Sequence, residues 1–447
     1  MNLTTRFGEI ARWCVRRILR LYYPRIEVEG RERLPASGAV LLVANHPNSL
    51  MDPALIGFAT RRPVHFFAKA PLFDVPVFGA LMRALGMVPA YRGQDDKAQV
   101  RKNLETLELG AEYLKRGETV GIFPEGKSHD REGVEQVRTG AARIACQAVK
   151  GGAALSIVPL GLNYERKDRF RSAVWVRVGE PIDANAWLRA RTEAEKQAMR
   201  ALTEEIDSRL KQLVAHLNEE RWQPFLPELE MLLPPEPGDA EYPIATLRQR
   251  KRFTDAMNYF LATDRPRAEA VAAAIEQHRA QLAGAGLTMD SPILRLGVVR
   301  LTLRLLKETF WLLAGLVPTA AGTLHHLVPF AVTRVIVRFI KYPGRTTVAQ
   351  NRLMIGLPIY GLWYAAVLWL LATQTQLWIA WLWTALMPFC GIVALHYAWR
   401  ARIVGRAWWS EIKMLMRPAQ LRQLREHQVK LRVQLARLRD EFRARPT

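Results

Sequence analysis

Residues 39–53 read AVLLVANHPNSLMDP, and this stretch decides how the surrounding chain folds. Its first six residues form an uninterrupted apolar run, which predicts a buried strand. The turn-forming residues Pro47, Asn48 and Ser49 follow at once and end that strand. Pro53 suits the first position of a helix, with Asp52 as its cap. The stretch therefore predicts a strand, a tight turn and a helix in immediate succession.

Similar apolar runs recur downstream of this stretch and alternate with helical periodicity. The runs lie at residues 64–67, 119–123, 155–160 and 173–178, and the helical patterns at 76–85, 98–116 and 135–149. Such alternation predicts an α/β domain with a largely buried, mostly parallel mixed sheet flanked by helices. Residues 184–220 then predict one long charged helix, and the Pro-rich acidic segment 224–243 predicts a linker.

The chain is strongly basic. Its 447 residues include 64 Lys+Arg against 42 Asp+Glu, a formal charge of +22 that attracts polyanions. Most of the 13 Trp and the longest apolar runs lie in the C-terminal half, which favours lipid over nucleic acid as the partner. The widely spaced Cys14, Cys146 and Cys390 form neither a disulfide framework nor a metal pattern, so a reducing compartment is expected.

The N-terminal segment 1–24 has the pattern of a basic amphipathic helix. One face carries apolar residues, and another carries Arg12, Arg16 and Arg20. The apolar face consists of Phe7, Ile10, Cys14, Ile18 and Leu21. This arrangement predicts a helix lying in the headgroup layer of a membrane, the alternative being a soluble helix docked on the domain.

Two uncharged runs within residues 353–399 predict a transmembrane hairpin, because each is long enough to cross a hydrocarbon core of about 30 Å. Arg352 precedes the first run, and Arg400, Arg402 and Arg406 follow the second. Both ends of the hairpin, and with them the α/β domain, are therefore expected on the cytoplasmic side.

Two further C-terminal regions remain ambiguous in sequence. Residues 244–308 predict helices, and the apolar segment 309–340 predicts an interfacial, re-entrant or membrane element, because His325 and His326 make a simple span costly. Adjacent side chains on a helix diverge by about 100°, so this pair predicts no metal site. Residues 417–443 repeat apolar residues at heptad spacing, which predicts either a homodimeric coiled coil or a helix packed on the chain's own surface.

The first chemical cluster is His46 with Asp52, just past the carboxyl end of the strand at 39–44. This edge of the sheet is where α/β active sites form, and the imidazole pKa suits a general base. Six residues on one helix would not bring the two side chains together, so they can meet only across the turn. The alternative is structural, with Asp52 capping a helix and His46 on the surface.

The second cluster, residues 121–128, reads GIFPEGKS and matches the phosphate loop of NTPases letter for letter. Pro124 lacks the N–H that such a loop needs, and Glu125 would add a negative charge to the cradle. An NTPase is therefore a remote alternative. A loop at the rim of the sheet fits better, in which Glu125 binds a substrate hydroxyl and Lys127 meets an anion.

Taken together, four ordered blocks resemble the glycerolipid acyltransferase superfamily, which includes glycerol-3-phosphate and 1-acylglycerol-3-phosphate acyltransferases. The blocks are NHPNSLMD at 45–52, GMVPAYR at 86–92, FPEGKS at 123–128 and IVPLGLNY at 157–164. The resemblance implies an acyltransferase domain over residues 25–223 with the acyltransferase fold. It also implies acyl transfer from acyl-CoA or acyl-carrier protein to a phosphorylated glycerol in phospholipid biosynthesis, with no cofactor.

Carried over residue by residue, His46 resembles the family's base and Asp52 its partner. Seven further residues are predicted to bind substrate, from this resemblance and from the rim loop at 121–128. They are Asn45, Lys69, Arg92, Glu125, Gly126, Lys127 and Arg138. Arg92 resembles the arginine that binds the acceptor phosphate.

One departure from the family is the spacing of the catalytic pair. Five residues separate His46 from Asp52 where the usual pattern has four, as in a subgroup that includes fungal glycerol-3-phosphate acyltransferases. Asn45 or a backbone carbonyl is the alternative group to orient His46. The same departure motivates the second hypothesis, a catalytically inactive membrane tether or lipid-binding protein.

Overall fold

The computed structural model describes residues 3–74, 78–90, 97–235, 243–339 and 348–445. The chain divides into two compact units. The first comprises Met1–Asn218, Gly238–Asp255 and Gly344–Gln350, and the second comprises Glu219–Pro237, Ala256–Pro343 and Asn351–Thr447.

The first unit is built around a mixed sheet. Its strands are β1 (Arg25–Glu29), β2 (Ala39–Ala44), β3 (His65–Lys69), β4 (Val88–Ala90), β5 (Thr119–Ile122), β6 (Leu155–Tyr164), β7 (Ala173–Val178) and β8 (Ile182–Asp183). Within the described residues they lie in the order β1-β7-β6-β2-β5-β3-β4, with β8 beside β6. The pairs from β6 through β2, β5 and β3 to β4 are parallel, whereas β7 and β8 run antiparallel to β6. The predicted α/β fold with a mostly parallel sheet is confirmed.

Helices cover this sheet. They are α1 (Leu3–Tyr22), α2 (Met51–Ala59), α3 (Phe78–Ala84), α4 (Lys97–Lys115), α5 (Gly140–Lys150), α6 (Ala184–Arg189) and α7 (Glu195–Leu213). Every residue of β2 is buried, as its uninterrupted apolar sequence requires of a central parallel strand. The alanine-rich face of α5 packs in the same core, where small side chains allow close approach to β2 and β6.

The structure differs from the single helix predicted over residues 184–220. The Asp183 carboxylate accepts from the Asn185 and Ala186 N–H groups and so caps the short α6. The Asn185 side chain binds the Leu155 N–H and the Ala153 carbonyl, which fixes α6 to the start of β6. The chain then turns before α7 begins at Glu195, so tertiary bonds interrupt a continuous helical periodicity.

The second half of the chain is helical. Its helices are α8 (Leu226–Leu232), α9 (Ile244–Thr263), α10 (Arg265–Gly284), α11 (Val298–Ala314), α12 (Leu316–Arg338), α13 (Val348–Gln374), α14 (Leu377–Leu415) and α15 (Pro418–Ala444). The segment predicted as a linker, 224–243, contains α8, because Leu226, Leu229 and Leu232 are buried. The described part of the chain contains three helices long and apolar enough to cross a membrane, at Leu316–Arg338, Arg352–Gln374 and Leu377–Arg402.

The C-terminal heptad residues are buried within the second unit. Leu421, Leu424, Leu431 and Leu435 are buried, and the amide Nε2 of Gln428 donates to the Met289 carbonyl at 2.9 Å. This is the second of the two predicted alternatives, a helix packed on its own chain. A coiled coil with another copy through this seam would require these contacts to open.

Gly121 in β5 is required by close packing. A Cβ there would lie 2.1 Å from the Phe66 ring, so we expect Gly121→Ala to destabilise the first unit by about 2 kcal/mol through overpacking. Gly57 in α2 has open space around it, and Gly57→Ala should be neutral or stabilising by up to about 1 kcal/mol. Alkylation of the buried Cys146 during heating in detergent measures both variants. Equal alkylation midpoints would contradict the packing argument.

Candidate active site

His46 and Asp52 meet across the turn that follows β2. His46 Nδ1 lies 2.8 Å from Asp52 Oδ2, although five residues separate them. Ser49 adopts a left-handed backbone conformation, with φ of 42°, and α2 begins at Met51 with Leu50 at its N-cap. The prediction that Asp52 caps the helix is therefore wrong. The helix starts earlier, and the carboxylate instead turns back to accept from the Asn48 N–H at 2.7 Å.

The Asp52 carboxylate is fully buried and receives a hydrogen bond on each oxygen. Oδ2 faces the His46 ring and the Asn48 N–H, and Oδ1 accepts from the Tyr164 hydroxyl at 2.5 Å. Charge-assisted bonds of this kind compensate the desolvation of a buried carboxylate. Burial and the nearby Asp52 charge raise the pKa of Tyr164, so its hydroxyl stays protonated and remains a donor.

Further contacts fix His46 besides the one at Nδ1: its ring stacks on an aromatic side chain, and its backbone forms two hydrogen bonds. It stacks on Phe123 at 4.0 Å between ring centroids, and its side chain is 16% exposed. Its N–H donates to Glu125 Oε2 at 2.8 Å, and its carbonyl accepts from the His129 N–H at 3.2 Å. Among the described residues Nε2 has no protein partner, so this nitrogen can form a hydrogen bond with a ligand.

The sequence predicted that the Glu125 side chain binds a substrate hydroxyl, whereas in the structure it is buried. It is 1% exposed, and its Oε1 accepts from the Glu135 N–H at 3.0 Å while Oε2 binds His46. His129 Nε2 lies 3.0 Å from Oε1, close enough for an ion pair but outside hydrogen-bond geometry. The Glu125 carboxylate therefore links the loop after β5 to the turn after β2 through hydrogen bonds.

The loop after β5 presents cations beside this carboxylate. Gly126 has φ of +75°, which a side chain would strain, and the Arg138 side chain passes about 3.5 Å from where its Cβ would lie. Lys127 is about half exposed, with Nζ 3.4 Å from Glu135 Oε2. The next helix begins only at Gly140, so the loop lacks the helix that an NTPase phosphate loop needs directly behind its Lys-Ser.

Asn45 does not orient His46. Its amide donates to the Leu162 carbonyl at 3.1 Å and accepts from the Leu162 N–H at 2.8 Å, and it is 2% exposed. The side chain thus continues the ladder between β2 and β6 beyond Ala44, which pairs with Leu160. It fixes where the two strands end and therefore where the site begins.

Lys69 and Arg92 are both predicted to bind phosphate, and the structure describes only the first of them. Lys69 ends β3 and is exposed, and its register partner on β4 is Ala90. Arg92 follows β4 two residues later and lies outside the described residues. Lys69 is therefore paired with Ala90, which precedes Arg92 by two residues in the sequence.

A second layer of polar residues was not singled out from sequence. Asn48 Nδ2 donates to the Tyr23 hydroxyl at 2.8 Å and to the Lys167 carbonyl at 2.9 Å, and Tyr23 itself donates to the Lys167 carbonyl at 2.7 Å. Tyr164 joins this layer to Asp52 through its hydroxyl. The sequence signal that could have identified Tyr164 was its position at the end of the strand next to β2. The described residues contain no group of three or more His, Cys, Asp or Glu placed to hold a metal ion.

Residues 25–163 match the family model described as Acyltransferase. The chain is 39% identical over 82 residues to glycerol-3-phosphate O-acyltransferase 2 of Saccharomyces cerevisiae, covering 18% of this chain and 11% of that protein. It is 31% identical over 143 residues to a chloroplastic 1-acyl-sn-glycerol-3-phosphate acyltransferase of Arabidopsis thaliana, covering 31% of this chain and 37% of that protein.

Among solved structures, the crystal structure of the 1-acyl-sn-glycerophosphate acyltransferase of Thermotoga maritima aligns at 24% identity and a TM-score of 0.34. The alignment covers 46% of this chain and 78% of that one. The sequence matches span well under two thirds of either curated relative. The family match over residues 25–163 includes the turn with His46 and Asp52 and the loop with Glu125. Over residues 25–163 the chain is therefore similar in sequence to acyltransferases of the glycerolipid type.

Proposed function

We propose that the chain transfers a fatty acyl group from the thioester of acyl-CoA or acyl-carrier protein to a hydroxyl of glycerol-3-phosphate or 1-acylglycerol-3-phosphate. One observation carries the proposal. His46 is oriented through Nδ1 by the buried Asp52, while Nε2 is left without a protein partner among the described residues. This is the arrangement of a general base whose proton-accepting nitrogen faces a substrate.

In the proposed reaction, His46 Nε2 takes the proton of the acceptor hydroxyl as its oxygen attacks the thioester carbonyl. The tetrahedral intermediate then collapses, the carbon–sulfur bond breaks, and the imidazolium returns its proton to the leaving thiolate. Asp52 accepts from Nδ1–H throughout and stabilises the imidazolium. No covalent acyl-enzyme is required.

The oxyanion of the intermediate needs hydrogen-bond donors, and the backbone N–H groups of the first cluster are the first candidates. Two of its N–H groups are already committed, because that of His46 donates to Glu125 and that of Asn48 donates to Asp52. Pro47 has none. We therefore place the oxyanion near the second loop, where Lys127 also supplies positive charge.

The acceptor phosphate is assigned to cations around the same edge of the sheet. Arg92 is the principal candidate because a guanidinium binds phosphate in a bidentate manner, with Lys69, Lys127 and Arg138 as supporting cations. The three candidate spans would hold the enzyme at the membrane where acyl chains and products reside. We propose that the catalytic domain faces the cytoplasm.

Removal of the base tests the function directly. We expect His46→Ala to lower acyl transfer at least about 100-fold, because general base catalysis contributes about that much or more. Purified membranes are assayed with labelled acyl-CoA and acyl-carrier protein against glycerol-3-phosphate, dihydroxyacetone phosphate and 1-acylglycerol-3-phosphate. His427→Ala, an exposed histidine in α15, is the matched control and should keep full activity.

Wild-type membranes that transfer no acyl group to any acceptor would refute the enzyme and favour a tether. Full activity of His46→Ala at wild-type abundance would refute the assigned base.

Tyr164 is expected to position the catalytic carboxylate. Tyr164→Phe removes the donor to Asp52 Oδ1 and should lower kcat roughly tenfold, the equivalent of about 1.4 kcal/mol. Because the raised pKa keeps Tyr164 protonated, the loss should be the same across the neutral and mildly alkaline range. Tyr23→Phe deletes a hydroxyl from the same cluster that binds Asn48 and Lys167 but not Asp52, and should stay near wild type. Equal losses in both variants would reduce the role of Tyr164 to packing.

Arg92 is expected to bind the acceptor phosphate. Arg92→Ala should raise KM for the phosphorylated acceptor about tenfold to a hundredfold, since a hydrogen bond to a charged group contributes about 1.5–3 kcal/mol. KM for the acyl donor should hardly change. Arg189→Ala, at the exposed end of α6, serves as control. An unchanged acceptor KM with a lowered kcat would move Arg92 from phosphate binding to the chemical step.

A further inference from the structure

Helix α1 presents a mixed apolar and cationic outer face. Its inner face, including the buried Ala11 and Leu19, packs on the first unit. Ile10, Trp13 and Leu21 point outward and are 60%, 59% and 53% exposed. This outer face differs from the apolar face predicted from sequence, since Trp13 joins it from among the arginines.

A cluster of arginines continues this surface beyond α1. We define the arginine patch as Arg16, Arg20, Arg31 and Arg61, which come from α1, from the 3-10 turn after β1 and from the segment after α2. Phe58, near the end of α2, lies at its centre. The Arg20 and Arg31 guanidinium carbons lie 5.3 and 5.9 Å from its ring centroid.

The patch concentrates positive charge that its surroundings only partly compensate. Burial and the nearby charges of Arg61, Arg16 and Arg20 lower the pKa of Arg31, so the guanidinium groups are close enough to repel one another. Arg16 donates to the Gly57 and Thr60 carbonyls at 3.3 and 3.2 Å, and Arg31 to the Phe58 carbonyl at 3.4 Å.

These hydrogen bonds to the carboxyl end of α2 compensate the charge of Arg16 and part of the charge of Arg31. They do not account for Arg20 and Arg61, neither of which has a carboxylate partner within the described ranges. A surface that holds four like charges together gains stability when an external anion neutralises them.

We propose that the arginine patch and the outer face of α1 together form a docking surface for the anionic phospholipid headgroups of a bilayer. Guanidinium groups bind phosphate through paired hydrogen bonds, and exposed Trp and aliphatic side chains beside them insert at the headgroup–acyl boundary. Charge alone would equally suit an acidic protein. The exposed Ile10, Trp13 and Leu21 favour lipid, and the described part of the chain contains three helices long and apolar enough to span a bilayer.

This surface is separate from the catalytic pair. The patch gathers at the carboxyl end of α2, whereas Asp52 lies at its amino end, with the nine residues of the helix extending about 13 Å. The proposal therefore does not depend on the reaction proposed above. It extends the membrane prediction for α1 by adding Arg31 and Arg61 and by requiring anionic lipid.

The test follows α1 in the full chain, reconstituted in nanodiscs of phosphatidylcholine with or without phosphatidylglycerol. An environment-sensitive fluorophore is attached to Cys14, which is half-buried on α1, after Cys146→Ala and Cys390→Ala remove the two buried thiols. Quenching by lipid-borne spin labels measures docking of the helix. Phosphatidylglycerol should increase the docked fraction, because each arginine near an anionic surface is worth about 1 kcal/mol.

Arg20→Glu with Arg61→Glu should lower the ratio of docked to undocked protein at least about tenfold in phosphatidylglycerol. These two residues are chosen because neither bonds a carbonyl of α2. Arg189→Glu with Arg200→Glu makes the same change of net charge on α6 and α7 and should leave docking unchanged. Arg20→Gln with Arg61→Gln should give a smaller loss, which keeps the test valid if charge reversal disturbs the fold.

Three results would overturn the proposal. The first is equal docking in both lipid compositions, and the second is equal docking of the patch and control variants. The third is docking driven by a soluble acidic acyl-carrier protein in place of phosphatidylglycerol. None of these measurements depends on acyl transfer, so failure of the docking proposal is distinguishable from failure of the proposed reaction.

Discussion

The structure of the site depends on one buried carboxylate that must be hydrogen-bonded on both oxygens. An ionised Asp52 with no solvent exposure costs several kcal/mol unless donors surround it. Its donors come from three separate places: the His46 ring, the Asn48 backbone and the Tyr164 hydroxyl. The closed turn and the oriented imidazole both stabilise the buried charge, because each supplies one of these donors.

The register between β2 and β6 brings the third donor into place. Ala44 pairs with Leu160, and the Asn45 side chain then binds both backbone groups of Leu162. Tyr164 follows two residues later, and since side chains alternate across a strand, a slip of one residue would point it to the opposite face. The sheet register is thus a condition for the geometry of the His46–Asp52 pair.

Much of the fold was predictable from sequence, because the buried strands at 39–44 and 173–178 and helix α4 follow from apolar periodicity alone. The pairing of His46 with Asp52 across a turn was predictable too. The early start of α2 was not, since it depends on the left-handed Ser49 and on the capture of Asp52 by distant donors. A motif identifies residues but not the direction of their side chains, which is why Glu125 was expected at the substrate yet is buried against the His46 backbone.

The dipole of helix α2 explains how the buried Asp52 carboxylate and an arginine cluster can lie at the two ends of so short an element. The partial positive charge of a helix amino end favours Asp52 there, and the partial negative charge of the carboxyl end favours the guanidinium groups of Arg16 and Arg31. Each charge would be costly at the other end. The same nine-residue helix therefore stabilises the carboxylate that orients His46 at one end and a cluster of guanidinium groups at the other.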